Sequence, residues 1–132
     1  MVSYFVRYRA QAADPRAFAC YYENEHAQVL RRFSGIRALI LHQPVGWTDP
    51  FPVRADGTEL LAQMSFDTTA DLDAALKSDA RRDARADFAR FLAFTGEVTH
   101  QAMTARYGEE IRSAGCSRCS TCAMAGSTRC CR

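Results

Sequence analysis

The chain has 132 residues, 48% of them apolar and 24% charged, which suits one globular domain with a core of its own. Its net charge of +2 comes entirely from residue 109 onward; residues 1–108 carry 13 basic and 13 acidic side chains. A neutral body without a clustered basic face argues against nucleic acid as a partner, and no apolar run reaches the ~18 residues of a membrane span.

Taken in order, Val2, Tyr4, Val6 and Tyr8 alternate with Ser3, Phe5, Arg7 and Arg9, the pattern of a half-buried strand. MVSYFVRYRA lacks the charged-then-apolar layout of a secretory signal, so the expected location is the cytoplasm. Asp14-Pro15 supplies an N-cap acceptor followed by proline at the first helical position. A helix is predicted from there to about Ser34, with Gly35 suited to the left-handed position beyond its end. At 100° per residue, Phe18, Tyr22, His26, Val29 and Phe33 share one narrow arc, while Asn24, Ala27, Gln28 and Arg31 point elsewhere. Ile36 to Gln43 reads as a second strand, ended by Pro44.

The connection from Val45 to Thr58 is longer than a hairpin needs and carries Trp47, Phe51 and Val53. It packs over a pocket or across a subunit interface, or it folds onto its own domain. Glu59 to Asp67 is the third strand, with Leu60, Ala62, Met64 and Phe66 on one face. Thr68 or Thr69 caps a second helix through Leu72, Ala75 and Leu76. Ser78-Asp79 marks an interruption, after which Ala84, Phe88, Phe91 and Leu92 continue the stripe to about Phe94. Gly96 breaks the pattern, and Glu97 to Tyr107 is a fourth strand. The resulting order is β-α-β-β-α-β, an α+β arrangement of the ferredoxin-like type: a four-stranded antiparallel sheet with both helices on one face. Its open sheet face carries apolar side chains from several strands, which favours burial against a second copy.

His26 is the leading candidate for chemistry, because an imidazole on an apolar helix stripe titrates near neutrality inside a low-dielectric cavity. The competing reading is a core histidine satisfied by a carbonyl or by Tyr22. His42 either meets His26 across the helix–sheet gap or sits at an exposed strand end. Tyr4, Tyr22 and Phe33, with Trp47 from the long loop, are the other candidate ligand contacts. His100 alternates with Val98 and Ala102 and reads as a solvent or interface residue. The arginines and aspartates from Asp79 to Arg90 read as a salt-bridged helix surface. Three histidines without paired spacing give no metal site in the body, and no glycine-rich phosphate loop or G-x-S-x-G is present.

Residues 109–132 differ in composition. Five of the six cysteines (Cys116, Cys119, Cys122, Cys130 and Cys131) fall there, with Cys20 alone in the body. A disulfide framework would spread them through the fold, so a reducing compartment is expected. The C-x-x-C-x-x-C spacing suits a soft metal, yet no histidine or apolar anchor accompanies it. A disordered or non-native extension is the preferred reading, and residues 1–108 are taken as the domain.

Several motifs together resemble the EthD family of the dimeric α+β barrel group. They are the segment from Tyr21 to His26, Leu30-Arg31-Arg32-Phe33-Ser34-Gly35-Ile36-Arg37, the strand end Leu41-His42-Gln43-Pro44, Met64-Ser65-Phe66-Asp67 followed by Asp71 to Leu76, and Asp87-Phe88-x-x-Phe91. The sequence departs from the family pattern at Gln28 and Ser34, where proline is usual, and in lacking a glycine near residues 79–82. The resemblance implies a homodimer with a small-molecule cavity between each sheet and its helices. It also implies action without organic cofactor or metal, and a candidate acid/base or ligand-anchoring role for His26. On that basis a cofactor-free catabolic enzyme, of isomerase or lyase type or associated with oxidoreductases, is the expected function. The alternative is a non-catalytic ligand-binding or accessory protein of an ether- or aromatic-degrading oxygenase system.

Overall fold

In a computed structural model of the chain, which describes residues 1–10, 12–90, 94–106, 108, 109 and 111, the alternating segments become one sheet. The strands are β1 (Val2–Arg9), β2 (Ala38–His42), β3 (Thr58–Phe66) and β4 (Glu97–Thr104), in spatial order β2-β3-β1-β4. All three neighbouring pairs are antiparallel. This is the α+β, ferredoxin-like architecture expected from the element order. The registers put Tyr4 opposite Met64 and Ala102, and Val6 opposite Ala62 and His100. Directly opposed residues share a face, so Val2, Tyr4, Val6, Tyr8, Leu60, Ala62, Met64 and Phe66 form a continuous buried floor.

The helices cover that floor. The first helical stretch comprises α1 (Pro15–Tyr21), a π-helical turn (Tyr22–His26) and α2 (Ala27–Leu30). Asp14 caps it as the sequence predicts, its carboxylate accepting from the Ala17 amide at 3.1 Å. The π turn is a departure from the regular helix expected to about Ser34. Its extra residue advances the helix phase, so Ala27 and Leu30 become buried and Val29 only partly so. The regular wheel had pointed Ala27 outward. Gly35 adopts the left-handed conformation, φ 74°, where the chain turns toward β2.

The second helical stretch divides at Lys77 and Ser78 into α3 (Thr69–Leu76) and α4 (Asp79–Phe88). Each has its own hydroxyl cap: Thr68 accepts from Asp71 and Ser78 from Arg81. Described helix ends at Phe88, and the expected continuation through Phe91 and Leu92 lies outside the described residues. So do Tyr107 and the five tail cysteines. The loop between β2 and β3 leaves Val45, Trp47, Phe51 and Val53 exposed.

Gly96, at the entry to β4, packs directly on β1: a Cβ there would lie 1.9 Å from the Arg9 carbonyl oxygen and 2.8 Å from the Phe94 ring. Neither backbone can yield without shifting the β1–β4 register. Gly96→Ala should therefore lower stability by about 1–3 kcal/mol, the cost of overpacking, in urea unfolding followed by circular dichroism. A midpoint equal to that of the unsubstituted protein would disprove the close approach.

Candidate active site

The π turn brings Tyr22 and His26 to the inner side of the helix layer, with ring centroids 4.8 Å apart. His26 is 4% exposed and Tyr22 1%. Opposite them, Ala80, Ala84 and Asp87 fall on one side of α4 at helical spacing, and the two alanines are small enough to let the helices approach. Asp87 fills the resulting junction. One carboxylate oxygen lies 2.7 Å from His26 Nδ1 and the other accepts from the Tyr21 hydroxyl at 2.7 Å.

Beside this dyad is a small cavity enclosing about 30 Å³, room for one water. Its floor includes Val6, Tyr8, Tyr22 and Met64, and its walls include His26, Phe88, Arg81, Arg85, Val98 and His100. The Tyr8 hydroxyl donates to Tyr22 at 3.4 Å, and Tyr4 pairs with His100 Nδ1 at 2.7 Å.

The electrostatics follow from these contacts. Burial pushes the His26 imidazole below its ordinary value, and the hydrogen bond and charge of Asp87 offset only part of that. Burial raises Asp87 too, but hydrogen bonds from Tyr21 and His26 together outweigh it, and the carboxyl lies below the usual range. A neutral His26 beside an ionised Asp87 carries its proton on Nδ1, which leaves Nε2 as the basic nitrogen. His100 is also lowered, by desolvation of its inner edge and then by the charges of Arg81 and Arg85. Tyr8 is pushed up to about 12 by burial, and burial also raises Tyr22 well above its ordinary value. Both phenols are neutral hydrogen-bonding groups at physiological pH.

Of the residues singled out from sequence, His26 and Tyr22 meet at the cavity. Tyr4 touches it indirectly, through His100. Phe33 is 2% exposed and belongs to the core cluster. His42 does not meet His26. Leu39 pairs with Met64 and Leu41 with Ala62, so those two face the helices while Ala38, Ile40 and His42 face outward. His42 instead contacts Gln63 at 3.2 Å on the outer sheet face. Trp47 is 55% exposed and lines an open groove with His42, Arg7 and Asp56 on that same face. Neither residue reaches the helix–sheet cavity.

Asp87, Arg81 and Arg85 stand at the dyad or its cavity, where the sequence reading places them on a charged helix surface. Asp87 was read as part of a charged helix surface, although its spacing from Ala80 and Ala84 marks the inner side. His100 reads from sequence as a solvent or interface residue and is exposed, while also bordering the cavity. Arg81 and Arg85 were assigned to ion pairs that they do not form among the described residues. No group of three metal-ligating side chains occurs among the described residues, and no described helix is long and apolar enough to cross a membrane.

Comparison with known proteins adds family context. The EthD domain model matches residues 10–95. An ethyl tert-butyl ether degradation (EthD) family protein of Bacillus halodurans is 25% identical, with 84% of this chain and 99% of that one aligned at a TM-score of 0.60. SnoaB, a cofactor-independent oxygenase from Streptomyces nogalater, is 16% identical over 81% and 94% of the two chains, with a TM-score of 0.56. A dimeric ferredoxin-like protein of unknown function from Thermobifida fusca is 10% identical over 79% and 90%, with a TM-score of 0.57. These last two likenesses establish the fold alone. No curated protein matches the chain.

The depressed histidines fix the sign of the acid response. Below 6.5 the unfolded chain binds protons that folded His26 and His100 refuse, so stability falls as the pH drops through that value toward their folded pKa values. Asp87 adds a further loss as the pH falls below 3.8 through its own depressed value. The thermal midpoint should accordingly decline between pH 7.5 and pH 5, and His26→Gln should flatten that decline. A midpoint that rises over this range would reverse the assignment of a neutral His26.

Proposed function

The chain belongs to the EthD family, and on that premise we propose that it transfers a proton on a small carbonyl-bearing or aromatic molecule without an organic cofactor. His26 is the base and Asp87 its positioning partner. The single observation that carries this reading is the dyad itself: a buried imidazole anchored through Nδ1 at 2.7 Å to an ionised carboxylate, on the wall of a cavity. Such an anchor fixes the tautomer and aims Nε2, and it stabilises the imidazolium formed when a proton is taken up. In the proposed step Nε2 accepts a proton from a carbon adjacent to a carbonyl of the substrate. The electron pair of the broken bond moves onto the conjugated oxygen, and returning the proton to a different atom completes an isomerisation. Tyr22 and Tyr8, both neutral, supply hydroxyl groups along the floor.

A second reading draws support from the size of the cavity. About 30 Å³ is far below the several hundred Å³ of typical ligand sites. On this reading the chain is a non-catalytic accessory protein and the dyad a satisfied polar pair in the core.

The two readings separate by variant. In D2O, a panel of aromatic ketones, lactones and hydroxyquinones followed by proton NMR should show hydrogen exchange above background. His26→Ala should reduce it on the order of a hundredfold or more, and Asp87→Asn should impair it while leaving the chain folded. Equal exchange rates for the unsubstituted protein and His26→Ala, with a stability loss of roughly 1–3 kcal/mol from the unpaired carboxylate, would establish the accessory reading instead.

The proposed assembly is a homodimer joined through the outer sheet face. Ile40 and Met103, 45% and 58% exposed, lie on that face with Phe5 and Leu61. A charge in its middle would oppose burial. Ile40→Glu combined with Met103→Glu should convert a sedimenting dimer to a monomer, and a monomeric unsubstituted chain would rule the arrangement out.

A further inference from the structure

We infer that Arg81, Arg85 and His100 form a receptor, on the wall of the His26 cavity, for the oxygens of a planar organic anion, either a carboxylate or an enolate. Arg81 and Arg85 are one helical turn apart on α4, and both border the cavity together with His100. Neither guanidinium forms an ion pair among the described residues. Arg81 stacks its guanidinium over the Tyr4 ring at 5.9 Å, a contact that orients the group without neutralising it. The Tyr4 hydroxyl lies 2.7 Å from His100 Nδ1. When that phenol donates, the ring proton of His100 sits on Nε2, which then joins the two guanidiniums as a donor.

Two cations and a neutral imidazole around one cavity make a donor set with no carboxylate among the residues lining it. A guanidinium offers parallel N–H groups matched to two coplanar oxygens. Arg85 is exposed and Arg81 partly so, while His26, Tyr8 and Tyr22 are deeply buried. The cation end is therefore the solvent side, and the base lies at the inner end. A ligand whose anionic oxygens rest on the arginines would present its adjacent carbon inward. This inference rests on the proton-transfer reading only where it calls the anion a substrate; the anion site itself does not require turnover.

Isothermal titration of the full chain with benzoate, the anion of dimedone and neutral benzamide tests it. At least one of the two anions should bind, and benzamide should bind roughly tenfold or more weakly, the scale of one charge-assisted hydrogen bond. Binding of benzoate alone assigns the site to carboxylates, and binding of the dimedone anion alone assigns it to enolates. Arg81→Gln with Arg85→Gln should weaken anion binding by a similar factor, and the corresponding lysine pair should retain part of it. No anion binding to the unsubstituted protein, or binding equal to that of benzamide or of a folded Gln pair, would overturn the inference even if His26-dependent exchange stands. Arginine-dependent binding without such exchange would leave the anion site intact and remove only the proton-transfer reading.

Discussion

Asp87 joins the two helical stretches at their buried junction, where another tie between them, Arg32 to Asp83, is exposed. Its two oxygens take separate partners, Tyr21 from the end of α1 and His26 from the π turn, while its own backbone belongs to α4. A carboxylate this enclosed is favourable only when both oxygens are engaged. The requirement is mutual, because a buried imidazole also needs a fixed partner for its ring proton. The small residues Ala80 and Ala84, the π turn and the entry of His26 into the core all serve this one junction.

The π turn alters which residues stand beside Tyr22 and His26 at the junction. In a regular helix Ala27 lies 100° from His26, at the margin of the inward stripe. One added residue within the turn brings Tyr22, His26, Ala27 and Leu30 inward together. The wheel drawn from sequence identified His26 and Tyr22 correctly and misplaced Ala27, because a local phase change leaves no periodic signature. The strands were more legible. Val2 to Tyr8 alternate in burial as in sequence, Leu60, Ala62, Met64 and Phe66 are buried as expected with Ser65 buried among them, and Asp14, Thr68 and Ser78 cap the helices that follow them.

The site was legible only in part. His42 illustrates the reason: alternation along a single strand says which residues share a face but not which face turns inward. That choice is made by pairing with β3, where Leu39 and Leu41 meet Met64 and Ala62. His100 is the converse, a polar residue at a strand position whose partner, Val6, belongs to the buried floor. Asp87 was hidden by its surroundings, a run of charge in which its neighbours Arg85 and Arg90 are exposed. Spacing from the two alanines separates it from that run, and burial confirms the separation.

One helix carries two parts of this arrangement. Arg81 and Arg85 border the cavity, and Asp87, half a turn further along, holds His26. An outward displacement of α4 that admits a larger molecule draws Asp87 away from the imidazole at the same time, and its return restores both. The cavity wall and the His26–Asp87 contact are therefore coupled through a single rigid element, so a change in the seat of α4 reaches both.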